Sequence, residues 1–165
     1  TETEYNEAFG LPVSIKRGNS LTRFGYDAKG RVVMKDSPSE KTELKYHPQW
    51  GKVVRVARVL KRANKSTWAE FTYDGKGNLE SAKNSDRKFA KLVYNNAGQI
   101  VRMVDHNKRV LQLKYNENSK PIEITDPSLG SVKVSYNNSG EVKDVQSTAP
   151  RNVAQQVTVA FQSLL

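Results

Sequence analysis

The sequence predicts an all-β protein: a twisted antiparallel meander of consecutive β-hairpin repeats that forms an open, coiled sheet, with a C-terminal amphipathic helix. Three observations predict it. A tyrosine followed by Asp, Asn or His returns at Tyr26, Tyr46, Tyr73, Tyr94, Tyr115 and Tyr136, at intervals of 20, 27, 21, 21 and 21 residues. Self-similarity at a near-fixed period means that each unit is one supersecondary element stacked on its neighbours. The residues before each tyrosine alternate between apolar and polar, the period of a half-buried strand. Hydrophobic content is 36% and charged content 27%, a balance that suits a sheet with one wet face better than one covered on both.

Taken in order, residues 1–10 are polar and predict a flexible lead. Leu11, Val13 and Ile15 alternate as a strand, Gly18-Asn19 marks a turn, and the chain returns through Leu21 to Tyr26. The repeat domain is expected over 11–147. Its turns read Asp27-Ala28-Lys29-Gly30, Asp74-Gly75-Lys76-Gly77, Asn95-Asn96-Ala97-Gly98 and Asn137-Asn138-Ser139-Gly140. Asp and Asn bond nearby backbone amides, and Gly supplies positive φ without a Cβ clash. Two turns differ: His47-Pro48-Gln49-Trp50-Gly51 has one residue more, and the turn after Tyr115 has Ser119 where the others have Gly.

Counting back two and four residues from each tyrosine gives Phe24 and Thr22, Leu44 and Thr42, Phe71 and Ala69, Leu92 and Ala90, Leu113 and Leu111, and Val134 and Val132. Strand side chains alternate, so these share the tyrosine face. Positions one and three back are mostly polar (Lys45 and Glu43, Thr72 and Glu70, Lys114 and Gln112), so the other face is wet. A unit of this length holds two strands and two turns, which makes the array a meander coiled by the right-handed strand twist. Beyond Pro150, within the segment 148–165, Val153, Val157, Ala160, Phe161 and Leu164 fall on one helical face. That helix is expected to cover the apolar face of the sheet.

Tyr-Asp-x-x-Gly-x-[Val/Leu/Ile] units of about 21 residues resemble the YD repeats of RHS-repeat proteins. The resemblance runs from Leu21 to Asp144. It implies a β-repeat scaffold of an extracellular, periplasmic or cell-envelope protein, of the kind built into bacterial RHS and insecticidal-toxin shells and the teneurins. It also implies carbohydrate binding, which has been attributed to YD repeats. The repeat count is far below that of a closed shell, and the family's autoproteolytic region and toxin domain are not matched by any residues here. Encapsulation and self-cleavage are therefore not expected of this chain.

Candidate binding residues gather in the longest unit, Tyr46 to Tyr73. It carries Lys52, Arg55, Arg58, Lys61 and Arg62, which a longer hairpin would project beyond the sheet. Guanidinium groups fork onto carboxylate, sulfate or phosphate. Trp50, in an exposed-looking turn, and Trp68, on the wet side, offer flat apolar surfaces for sugar rings. With a net charge of +10, the expected partners are an anionic polysaccharide or cell-surface glycan, or a protein. Nucleic acid is disfavoured, because the wet face alternates Lys with Glu instead of interleaving bases with aromatics.

The chain contains no cysteine, which excludes thiol chemistry and Cys-based zinc sites. His47 and His106 are its only histidines and lie three units apart, so no metal spacing exists. No nucleophile elbow, phosphate loop or dinucleotide fingerprint occurs. No catalytic residue, cofactor or metal is expected, and no apolar run is long enough to span a membrane as a helix. The open apolar face could also support a homodimer. The competing reading is a structural piece of a larger RHS-like shell with no ligand of its own.

Overall fold

A computed structural model of the chain describes residues 1–148. The helix expected within 148–165 lies, but for Thr148, outside the described residues. Chain contacts gather into two units, one of residues 1–88 and one beginning at Phe89. The first is a meander of eight strands: β1 (Glu2–Tyr5), β2 (Pro12–Arg17), β3 (Ser20–Tyr26), β4 (Val32–Asp36), β5 (Glu40–Tyr46), β6 (Val53–Leu60), β7 (Lys65–Tyr73) and β8 (Leu79–Asn84). The second has six: β9 (Phe89–Tyr94), β10 (Ile100–Asp105), β11 (Val110–Tyr115), β12 (Pro121–Asp126), β13 (Gly130–Tyr136) and β14 (Val142–Ser147). Within each unit every strand pairs antiparallel with the next in the chain. Among the described residues there is no helix.

The lead expected over residues 1–10 is instead ordered as part of the repeat. β1 pairs with β2 from Glu2↔Lys16 to Tyr5↔Pro12. Asn6 Oδ1 accepts the amides of Ala8 at 2.7 Å and Phe9 at 3.2 Å, and Gly10 follows at φ +62°. All seven tyrosines of the chain therefore close a strand on the N-terminal side of a turn. Tyr5 had the same interval of 21 residues to Tyr26 as later units have. Its five-residue turn hid it, because the Gly arrives one position late. The turn at His47 is the same device, with imidazole Nδ1 accepting the amides of Gln49 and Trp50.

The common four-residue turn shows why Asp or Asn must follow the tyrosine. Asp27 Oδ1 accepts the amides of Lys29 and Arg31, and Asp74, Asn95 and Asn116 hold their turns in the same way. The second side-chain atom selects a complementary partner four residues on. Asp27 Oδ2 takes the Arg31 guanidinium at 2.7 Å and Asp74 Oδ2 takes Asn78 Nδ2 at 3.0 Å. Where the turn has Asn, its Nδ2 donates instead, from Asn95 to Gln99 at 2.7 Å and from Asn137 to Glu141 at 3.0 Å.

Ser119 occupies φ +62°, the place that Gly98 and Gly140 fill at +78° and +80° in neighbouring turns. A Cβ in that region costs about 1–2 kcal/mol, and glycine gives back part of the gain as unfolded-state entropy. Ser119→Gly is expected to stabilise the chain by about 0.5–1 kcal/mol, read as a rise in the urea midpoint at unchanged m value.

The tyrosine does more than line an apolar face. At the turn end of each hairpin the register shifts by one residue, as at Gly25/Tyr26 and Lys45/Tyr46. The ladder to the preceding strand stops two residues short of that strand's first residue, whose carbonyl is left without a ladder partner. The tyrosine hydroxyl supplies the donor. Tyr26 donates to the Pro12 carbonyl, Tyr46 to Val32, Tyr73 to Val53, Tyr115 to Ile100 and Tyr136 to Pro121, all at 2.7–2.8 Å. Burial pushes the Tyr115 and Tyr136 phenols above their ordinary range, so both remain protonated donors.

In the second unit the tyrosine face carries a buried cluster of Leu113, Ile124, Val132 and Val134, with Val132 only 2% exposed. Ile100, Leu111, Tyr115 and Tyr136 pack against it. In the first unit the same rows are only half-buried, and they are not purely apolar. Lys35 lies opposite Phe24, and Arg58 lies opposite Thr42. Polar residues are tolerated there because long side chains keep their charged ends in water.

Candidate functional site

The longest unit is built by β6 and β7, of 8 and 9 residues against 7 in β5 and 6 in β8 beside them. Four valines favour β6, and Thr67, Trp68, Phe71, Thr72 and Tyr73 favour β7, while the tip at Lys61–Asn64 closes with Asn64 at φ +45°. Two of the cations expected to project from this hairpin have ion partners. Arg58 pairs with Glu40 and Lys61 with Asp36, and the Lys61 amide donates to the Ser39 carbonyl. Lys61 foremost holds the Asp36 carboxyl below its ordinary range. These two cations fasten the hairpin to the β4–β5 turn. Arg62 sits exposed at the tip.

Lys52 and Trp50 belong to the turn end. Lys52 Nζ donates to the Gly77 carbonyl at 2.6 Å and lies 5.5 Å from the Tyr73 ring centroid. Trp50 is half-buried and not exposed as its turn suggested. Its ring stacks on His47 at 4.2 Å, meets Tyr73 edge-on at 6.4 Å, and presses on Gly77, where a Cβ would come within 3.3 Å of the indole. Phe9 meets Gly30 in the same manner. An aromatic residue in a five-residue turn thus packs against the glycine of the next turn.

Arg55 and Trp68 are brought together on the polar face. Register places Arg55 opposite Glu70, Glu70 opposite Lys83, and Ala57 opposite Trp68. Glu70 bridges Arg55 and Lys83, the latter at 2.8 Å. Lys83 first, then Arg55, hold its carboxyl below the ordinary range against the opposing effect of burial. Both cations also lie over the indole of Trp68, Arg55 at 5.3 Å and Lys83 at 5.8 Å from the ring centroid. Beside them runs an open cleft of about 590 Å³, lined by Glu43, Lys45, Arg55, Glu70, Ser81 and Lys83 among others. Thr72 and Ser81 share a hydroxyl hydrogen bond of 2.7 Å along it.

Sequence reasoning named Arg55 and Trp68 but missed Glu70, Ser81 and Lys83. Their signal was available: Glu70 is the third residue before Tyr73, the position already read as wet. A like cation–Glu–cation row stands in the second unit, where Glu123 meets Lys114 at 2.8 Å and Lys133 at 3.8 Å.

Among the described residues, no group of three or more His, Cys, Asp or Glu is placed to hold a metal ion. No described helix is long and apolar enough to cross a membrane.

The fold has solved counterparts. A crystal structure of TcdB2-TccC3-Cdc42 superposes with a TM-score of 0.65 at 11% identity, over 87% of this chain and 8% of that one. A Photorhabdus luminescens Tc holotoxin pore gives a TM-score of 0.46 at 10% identity, over 90% of this chain and 12% of that one. The chain thus spans about a tenth of the length of these structures, and at such identity the first likeness shows the fold alone. No curated protein sequence matches the chain. The family model of the teneurin YD-shell matches residues 55–157, more than half of the sequence, so that the repeat read from the tyrosines has a family: the chain belongs to the teneurin YD-shell family.

Proposed function

We propose that this chain is a non-enzymatic β-repeat scaffold of an extracellular or envelope protein, and that its polar face binds carbohydrate at Trp68. The observation that carries this reading is the Trp68 indole under Arg55 and Lys83, two cations that also line the open cleft. An indole supplies a flat apolar surface for a sugar ring. Flanking cations favour an acidic sugar, and the Thr72 and Ser81 hydroxyls and the Glu70 carboxylate can exchange hydrogen bonds with ring hydroxyls. In this reading the binding residues are Arg55 and Trp68, joined by Lys83 and Glu70.

Glycan arrays containing uronate-rich and neutral polysaccharides, read with a salt titration, test it. Saturable binding that survives moderate salt and weakens about tenfold or more in Trp68→Ala supports the site, since one stacked ring is worth about 1–3 kcal/mol. Binding to every polyanion that disappears with salt marks unspecific charge. The second reading, a structural segment of a larger shell without a ligand, is favoured by the small fraction of the matched structures that this chain spans. Absence of binding to any glycan would select it.

A further inference from the structure

We propose that the outer edge of β1 is a docking edge for an extended basic segment of another polypeptide, which adds as an antiparallel strand in the register used between hairpins. This goes beyond the polar-face site and does not depend on it. Five inter-hairpin junctions share one rule. The third residue of the incoming strand faces the residue three before the tyrosine, and the tyrosine hydroxyl takes the carbonyl of the incoming strand's first residue. Arg55 against Glu70, with the Val53 carbonyl on Tyr73, is the example most relevant here.

β1–β2 repeats β7–β8 position for position. Glu2 pairs with Lys16 as Glu70 pairs with Lys83. Glu4 meets the Ser14 hydroxyl as Thr72 meets that of Ser81. At Glu70 the row is completed by Arg55 on the preceding strand. At Glu2 that place has no occupant among the described residues, and β1 pairs with β2 alone. Glu2 is 78% exposed at its side chain and Tyr5 is 62% exposed. The edge therefore presents an unfilled row and a spare hydroxyl donor, in the order that the rest of the fold uses to receive a strand.

The charge on this edge specifies the occupant. In a chain of net charge +10, β1 carries two acids and no cation. The strand that fits has an apolar residue first, to offer its carbonyl to Tyr5, and Lys or Arg third, to close the row on Glu2. A second copy of this chain is a poor occupant. Its own last described strand, β14, begins with Val142 and has Asp144 third, which would set Asp144 against Glu2. Like charges directly opposite destabilise a strand pair. The acids thus repel the chain's own end while attracting a basic strand. Main-chain bonds then supply affinity and the third residue selectivity.

The test is a titration of the chain with a capped peptide copying residues 52–60, followed by amide NMR shifts. A second peptide carries Glu in the place of Arg55. The expected result is saturable shifts confined to Glu2–Tyr5 and the facing part of β2, with the Arg peptide binding about tenfold tighter than the Glu peptide. In the Glu2→Lys chain the preference should reverse. This substitution is on an exposed side chain, so the fold is retained. Tyr5→Phe should weaken the Arg peptide several-fold. An unchanged preference in the Glu2→Lys chain overturns the proposal, as do shifts located elsewhere. Sedimentation showing that the chain alone self-associates through this edge, in a form that Glu2→Lys abolishes, overturns it in favour of a second copy.

Discussion

Asp126→Ala is expected to cost the second unit about 2–3 kcal/mol, the largest loss from any single polar side chain. Asp126 is 3% exposed. One carboxylate oxygen accepts the Ser128 amide at 3.0 Å and hydroxyl at 2.6 Å, and the other takes the Arg109 guanidinium at 2.5 Å. Arg109 comes from the preceding distal turn, where its amide bonds Asp105. Asp126 therefore ties two turns together, and alanine strands three donors at once. At this chain length the melting point should fall by about 2–4 °C for each kcal/mol. A loss below about 0.5 kcal/mol would refute the assignment.

The acid dependence of this variant has a definite sign. Burial raises the Asp126 carboxyl, but Ser128 and Arg109 outweigh it and hold the value below the ordinary 3.8. A group depressed in the folded state stabilises above its unfolded value, and that contribution is lost as pH falls through the folded value. The gap between parent and Asp126→Ala should thus be full at neutral pH and close as the pH falls below 3.8.

The second large effect is expected from removing the hydroxyl latches together. Tyr26→Phe, Tyr46→Phe and Tyr73→Phe each leave one half-buried carbonyl without its donor, at about 1 kcal/mol apiece. The ring remains, so packing is preserved. The three junctions use separate strand pairs, and nearest-neighbour terms in a repeat array add, so the triple variant should lose about 3 kcal/mol. Denaturation of the single and triple variants measures it, and hydrogen exchange should speed first at the turn ends of β3, β5 and β7. A triple variant within experimental error of the parent would mean that water replaces the phenols at no cost.

These latches also explain what the sequence could and could not disclose. Period, face and turn chemistry are local, so alternation before Tyr46 or Tyr115 and the glycines at Gly30, Gly77 and Gly98 predicted the meander directly. The role of the hydroxyl is not local: Tyr73 bonds a carbonyl 20 residues earlier. The ion partners that tamed the basic hairpin are remote as well, Asp36 lying 25 residues from Lys61. Trp50 was misread because a turn with one extra residue points its fourth side chain along the sheet toward the next glycine. Trp68 was placed on its proper face because strand parity alone decides that. The candidate site was thus legible as a tryptophan and an arginine, and illegible as a row, since Glu70 and Lys83 join it only through register.

The hairpin of β6 and β7 has a further consequence, for engineering and for descent. Most of its added length lies in the paired strands toward the distal end, where the ladder runs on to Leu60↔Lys65, while the end at Val53 and Tyr73 keeps the hydroxyl latch of the shorter units. Length in this architecture is open at one rim and confined to turns of four or five residues at the other. Foreign loops spliced between Arg62 and Asn64 should be accepted as readily as a lineage has accepted its own extension, whereas a single residue inserted between Glu70 and Tyr73 would shift the register that brings the hydroxyl to the Val53 carbonyl.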